Sequence, residues 1–183
     1  RQRGVAHWAT TGGSSAPPIY ERLRESPLRE AVDWSRVHTW WGDDRFVPVD
    51  HPDSNVLPLH QVLIAAGTGE SHGFGLDLPG GSLHPIPTAE AIADGTWRGG
   101  AARAYAEELQ RLVPTGPDGV PVLDLIVVGV GPDGHILSVF PGSAVWDSPE
   151  LVVGVPAPTH VEPHIDRVTM HPRLLTAARE VLL

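Results

Sequence analysis

Leu123-Asp124-Leu125-Ile126-Val127-Val128-Gly129-Val130-Gly131-Pro132-Asp133-Gly134-His135 is a nearly continuous apolar run that stops at a glycine-rich turn ending in Asp-Gly-His. A run apolar at successive positions suits a strand covered on both faces, as strands of a mostly parallel sheet are. The turn at its carboxyl end presents backbone N–H groups and one titratable side chain at the sheet edge where open α/β folds bind ligands. An imidazole in that place can move protons near neutral pH. His135 is therefore a site candidate on position alone, against the plainer reading of a buried, hydrogen-bonded histidine.

Outward from this stretch, strand and helix signals alternate. A strand over 5–10 precedes the turn Thr11-Gly12-Gly13-Ser14-Ser15 and a helix over 17–25, with Pro17 in the first turn where its missing N–H does no harm. Residues 37–41, aromatic and β-branched, read as a second strand. Asp53-Ser54-Asn55 offers N-cap side chains for a helix to about residue 66, and 67–82 is a glycine-rich connection. The clearest helix spans 100–113, where Ala101, Ala104, Tyr105, Leu109 and Leu112 form one apolar stripe before Pro114. Strands over 151–155 and 168–170 and a helix over 172–180 follow. The alternation predicts an α/β fold: a doubly wound, mostly parallel sheet with helices on both faces, Rossmann-like, in a single domain over 1–183. The strand at 5–10 has no predecessor to pair with, and Val181-Leu182-Leu183 reads as the start of another, so the domain is expected to be incomplete at both termini.

Composition narrows the function classes. With 183 residues, 41% hydrophobic and 19% charged, the chain is of ordinary globular type. It has neither an apolar run of roughly 18 residues nor a basic-then-apolar leader, so no membrane partner is expected. A net charge of −9 argues against nucleic acid as a partner. An anionic ligand then needs locally concentrated Arg, His and backbone N–H groups. The lack of cysteine excludes thiolate catalysis and Cys-ligated metal and fits a reducing, cytoplasmic location.

Several look-alike motifs fail on context. Gly129-x-Gly131-x-x-Gly134 matches a dinucleotide fingerprint, but Pro141-Gly142 interrupts the long helix that motif requires. Thr11-Gly12-Gly13-Ser14-Ser15 lacks the lysine of a nucleotide-triphosphate loop, yet it can hold a single phosphate through N–H and hydroxyl groups, or be merely a tight turn with a Ser cap. Among the ten histidines, His160-Val161-Glu162-Pro163-His164 is not H-E-x-x-H, and Pro163 forbids the regular helix that would align two imidazoles. No metal and no cofactor are expected. No G-x-S-x-G elbow offers a serine nucleophile.

Three blocks remain: Gly12-Gly13-Ser14; Trp41-Gly42-Asp43-Asp44-Arg45-Phe46-Val47-Pro48 with Ser54-Asn55; and the Gly129 to His135 turn with Ser138-Val139-Phe140-Pro141-Gly142. On these the chain resembles the 6-phosphogluconolactonase family, within the wider group that includes glucosamine-6-phosphate isomerase/deaminase. The likeness covers nearly the whole chain, including Val155-Pro156-Ala157-Pro158 and Arg167-Val168-Thr169. Arg45 and Ser-x-Phe-Pro resemble the lactonase branch, since the deaminases usually carry Tyr and Asn-Glu-Pro there. The chain departs from the family at Asp44, where Glu is usual, and at Ile136-Leu137, where Thr-Ala is usual.

The resemblance implies hydrolysis of 6-phospho-D-glucono-1,5-lactone to 6-phospho-D-gluconate in the pentose phosphate pathway, with a phosphorylated sugar lactone as the small-molecule partner. It implies His135 as general base and then general acid, Asp133 as its orienting partner, and Arg45 as positive charge for the phosphate or the oxyanion. Gly12, Gly13 and Ser14 would hold the phosphate, helped by Arg167, and Asp43 would shape the site. A Gly-x-x-Lys segment that assists in the family would lie beyond Leu183. Each role has a plainer rival: Asp133 as a turn cap, Arg45 in a surface ion pair with Asp43 or Asp44, Arg167 as structural. Amino-sugar phosphate isomerisation with deamination, and non-catalytic sugar-phosphate sensing, are the alternative functions. Oligomeric state is not legible.

Overall fold

The computed structural model describes residues 4–64, 76 and 78–183. In chain order the elements are β1 (Ala6–Thr10), α1 (Ala16–Leu23), α2 (Leu28–Ala31), β2 (Val37–Trp41), β3 (Asp43–Arg45), β4 (Leu83–His84), α3 (Thr88–Ala93), α4 (Trp97–Leu112), β5 (Leu125–Val127), β6 (Val152–Val155), β7 (Arg167–Met170), α5 (Arg173–Ala177) and β8 (Glu180–Leu182). Five strands form a parallel sheet in the order β4-β2-β1-β5-β8. This is the expected α/β architecture, with the 5–10 strand at its centre and the closing apolar residues as an edge strand.

Strand alternation sends neighbouring residues into two separate cores. Ala9, Trp40 and Ile126 pack on one face with Tyr105 and Leu109 of α4; Trp8, Trp41 and Val127 pack on the other with Tyr20 of α1. Trp40 and Trp41 are both fully buried, one in each core. At roughly 1.5–3 kcal/mol per large apolar side chain buried, this adjacent pair pins the register of β2 from both sides.

The remaining strands form a second, antiparallel sheet in the order β3-β7-β6, which the alternation of elements did not anticipate. Gly42 is the joint. Its N–H donates to Thr10 O at 3.3 Å in the parallel sheet, while its carbonyl accepts from Met170 N at 2.8 Å in the antiparallel one. A Cβ there would stand 2.6 Å from Leu137 Cδ2, so any larger residue would require the Leu137 side chain to shift where the strand crosses between sheets.

Other boundaries shift for local reasons. The long helix begins at Trp97, and its buried stripe is Ala101, Ala102, Tyr105 and Leu109, whereas Ala104 faces solvent. The helix expected over 172–180 ends at Ala177, because Glu180–Leu182 is drawn into pairing with β5. After Pro58 the chain winds over Leu59–Ile64 with the wider five-residue closure of a π-helix. Asn55 does not cap it, since its side chain is committed elsewhere. The end of that helix near residue 66, His72 and most of the glycine-rich connection lie outside the described residues. Among the described residues no helix is long and apolar enough to cross a membrane, and no cluster of three or more His, Asp or Glu is placed to hold a metal ion.

Candidate active site

Because β1 pairs with β2 on one side and β5 on the other, the connections leaving β1 and β5 diverge over the sheet and open a crevice between their first turns. Gly129 N–H donates across its base to Thr11 Oγ1 at 3.2 Å. The crevice, of about 250 Å³, is lined by Gly12, Gly13, Ser14, Asp43, Arg45, His135 and Arg167. Every residue nominated from sequence thus converges there except Asp133, which stands behind the histidine.

Asp133 holds His135 twice. Its Oδ1 lies 2.5 Å from His135 Nδ1 and accepts the His135 backbone N–H at 3.2 Å, so the turn-cap and orienting roles are both met by one carboxylate. The hydrogen bond from His135 outweighs the opposing effect of burial and, with a smaller contribution from His160, keeps the Asp133 carboxyl below the usual carboxylate range. An ionised carboxylate only accepts hydrogen bonds, so Nδ1 of His135 is the donor, and in the neutral ring Nε2 has the lone pair. The ring packs on Phe140, with centroids 4.8 Å apart, and against the α-carbon of Gly131. A Cβ on Gly131 would come within 2.1 Å of the imidazole, which explains a glycine at that turn position.

The guanidinium groups arrive from the second sheet. Arg45 and Arg167 are directly opposite each other in the β3–β7 ladder, an arrangement of like charges that is unfavourable unless an anion lies between them. Arg45 forms no ion pair with Asp43 or Asp44 or with any other described carboxylate. Its Nη1 donates to Asn55 Oδ1 and, at 3.1 Å, to Asp53 O. Arg167 is only 3% exposed and stacks over the Phe140 ring at 5.6 Å. Burial, with the nearby Arg45 charge second, lowers its pKa. Nε of both arginines is buried without an acceptor among the described residues. Two such cations beside the Gly12–Ser14 turn concentrate positive charge in the crevice of an otherwise acidic protein.

Asn55 is the residue that sequence reasoning missed. Its Nδ2 donates to the Asp43 backbone carbonyl at 2.9 Å while its Oδ1 accepts from Arg45, so one amide ties the Arg45 side chain to the β3 backbone. A Cβ on Gly12 would fall 2.0 Å from Asn55 Oδ1, so Gly12 makes room for this anchor as well as forming the turn. In sequence the Ser54-Asn55 pair reads as a helix cap, and no local signal distinguishes the two uses. Asp43 in turn accepts from Ser138 Oγ at 2.5 Å, tying β3 to the segment after His135.

Asp44 is fully buried beneath this lattice. It accepts from Asn55 N at 2.7 Å, Arg45 N at 2.8 Å and Ser54 Oγ at 3.0 Å. Burial outweighs these donors and raises its pKa from 3.8 to about 7. Between those values the unfolded chain has released the proton that the folded chain retains, so stability falls as pH rises. Asp44→Asn is expected to flatten that decline, by up to about 4 kcal/mol over that interval. Urea midpoints from pH 4 to 8 check this; equal slopes for variant and parent would contradict it.

A family model described as glucosamine-6-phosphate isomerases/6-phosphogluconolactonase matches residues 1–183. The 6-phosphogluconolactonase of Streptomyces coelicolor is 36% identical over 189 residues, covering 99% of this chain and 66% of that protein. That of Mycobacterium tuberculosis is 34% identical over 185 residues, covering 99% and 68%. Among solved structures, the 6-phosphogluconolactonase from Trypanosoma brucei superposes with a TM-score of 0.76 at 29% identity, covering 96% of this chain and 67% of the other. The chain spans between about half and two thirds of the length of such relatives, being 54% for the Synechocystis protein. The match over all 183 residues, together with the crevice at the β1/β5 switch point, places the chain in the glucosamine-6-phosphate isomerase/6-phosphogluconolactonase family.

Proposed function

We propose that the protein hydrolyses 6-phospho-D-glucono-1,5-lactone to 6-phospho-D-gluconate within its single domain. The observation that carries this reading is the convergence on one crevice of His135, held by Asp133, and two guanidiniums with no carboxylate ion pair among the described residues. The phosphate lies against the Gly12-Gly13-Ser14 turn and Arg45, with Arg167 adding charge. His135 Nε2 takes a proton from water as its oxygen bonds to the lactone carbonyl carbon, and the carbonyl oxygen becomes an oxyanion beside the guanidiniums. The carbon–ring-oxygen bond then breaks and the imidazolium returns its proton to that oxygen. The product is the open hydroxy acid, which ionises to the carboxylate. Each of these steps uses groups of this chain alone. The relatives named as 6-phosphogluconolactonases support this choice of substrate over an amino-sugar phosphate.

Acid release from freshly prepared lactone tests the reading with the full-length protein. Arg45→Met is expected to raise KM by roughly 10- to 100-fold, the worth of about 1.5–3 kcal/mol for a charged hydrogen bond. Arg45→Lys recovers only part, because a point charge cannot fork onto phosphate. Sugar-phosphate binding without acid release would favour a sensor instead.

A further inference from the structure

Asp133 has a second histidine. Its Oδ2 lies 3.1 Å from His160 Nε2, so one carboxylate bridges two imidazoles, His135 on Oδ1 and His160 on Oδ2. The two rings also share Phe140, which His135 meets at 4.8 Å and His160 meets edge-on at 5.5 Å. His160 comes from the segment between β6 and β7, in the H-x-E-x-H stretch, and it is half exposed. Its two motif companions are occupied with each other, Glu162 Oε1 lying 3.1 Å from His164 Nε2.

We propose that His160 is a positioning residue for the lactone hydrolysis, acting through Asp133 on His135. Since the carboxylate is ionised, His160 must donate to it. That donation holds the Asp133 plane toward the His135 ring and draws charge away from Oδ1. The histidine base is thereby aimed, and the carboxylate's pull on its proton is moderated. The charged groups facing the His135–Asp133 pair are Asp43 and Arg45 from β3, Arg167 from β7 across Phe140, and His160 itself. Only the last changes in the test.

This inference rests on the lactonase reading, so it is measured in two ways. His160→Phe preserves a ring against Phe140 but removes the donor; His160→Gln supplies an amide donor. In His160→Phe the acid limb of the kcat/KM profile should move up by roughly half a pH unit, as expected for a half-exposed charged contact. Its kcat should fall about threefold with KM unchanged, and His160→Gln should return toward the parent. Independently of activity, the NMR titration midpoint of the His135 ring should move in the same direction in His160→Phe. Unmoved NMR and pH profiles, or a uniform loss that Gln does not rescue, overturn the role of His160. A parent protein without lactonase activity overturns the functional reading, while the NMR titration still decides the coupling.

Discussion

His135→Asn should lower kcat/KM for 6-phosphogluconolactone by roughly 100- to 10,000-fold, the range carried by a positioned general base. The loss should fall on kcat. Asparagine can keep a hydrogen bond to Asp133 but has no nitrogen able to accept a proton, and it leaves Arg45, Arg167 and the Gly12–Ser14 turn untouched. Steady-state kinetics checks the split between kcat and KM, with far-ultraviolet circular dichroism to confirm the fold. A variant as fast as the parent would remove His135 from the chemistry.

Gly131→Ala tests the same atom from the side. A Cβ at position 131 would lie 2.1 Å from both Cε1 and Nδ1 of His135, far inside van der Waals contact, so the ring must leave its seat on Asp133. Displacing a reacting group by about 1 Å costs on the order of 100-fold, and that is the loss in kcat expected here. KM should hold, because the proposed anion site is built from other strands. The contrast with Arg45→Met, which should act on KM, separates the proton-transfer half of the crevice from the phosphate half. A Gly131→Ala protein with both a raised KM and an unchanged kcat would contradict this division.

What could be read in the sequence, and what could not, follows from the range of each interaction. The β5 strand and its turn were legible because burial on both faces writes a continuous apolar run, and a glycine turn is a local necessity. The Gly12–Ser14 turn and the parallel sheet were legible for the same reason. The β3–β7 ladder was not: a three-residue strand carries too short a pattern, and its partner lies more than a hundred residues away. With it went the facing of Arg45 by Arg167, which places Arg167 in the lining of the crevice. Asn55 was misread because a cap and a side-chain bridge ask for the same polar amide. Ala104 was assigned to the buried stripe in place of Ala102 because alanine on a polar face and on a buried face look alike. His160 was weighed against metal motifs, whereas its partner is a carboxylate from another loop.

If the imidazole and the guanidiniums serve opposite ends of one small ligand, as proposed, a crystal structure with 6-phosphogluconate bound should show the phosphate against Gly13 N–H and Arg45, with the C1 carboxylate within hydrogen-bonding distance of His135 Nε2. A phosphate on His135 with C1 turned toward Arg45, or a ligand outside the crevice between the β1 and β5 turns, would contradict it.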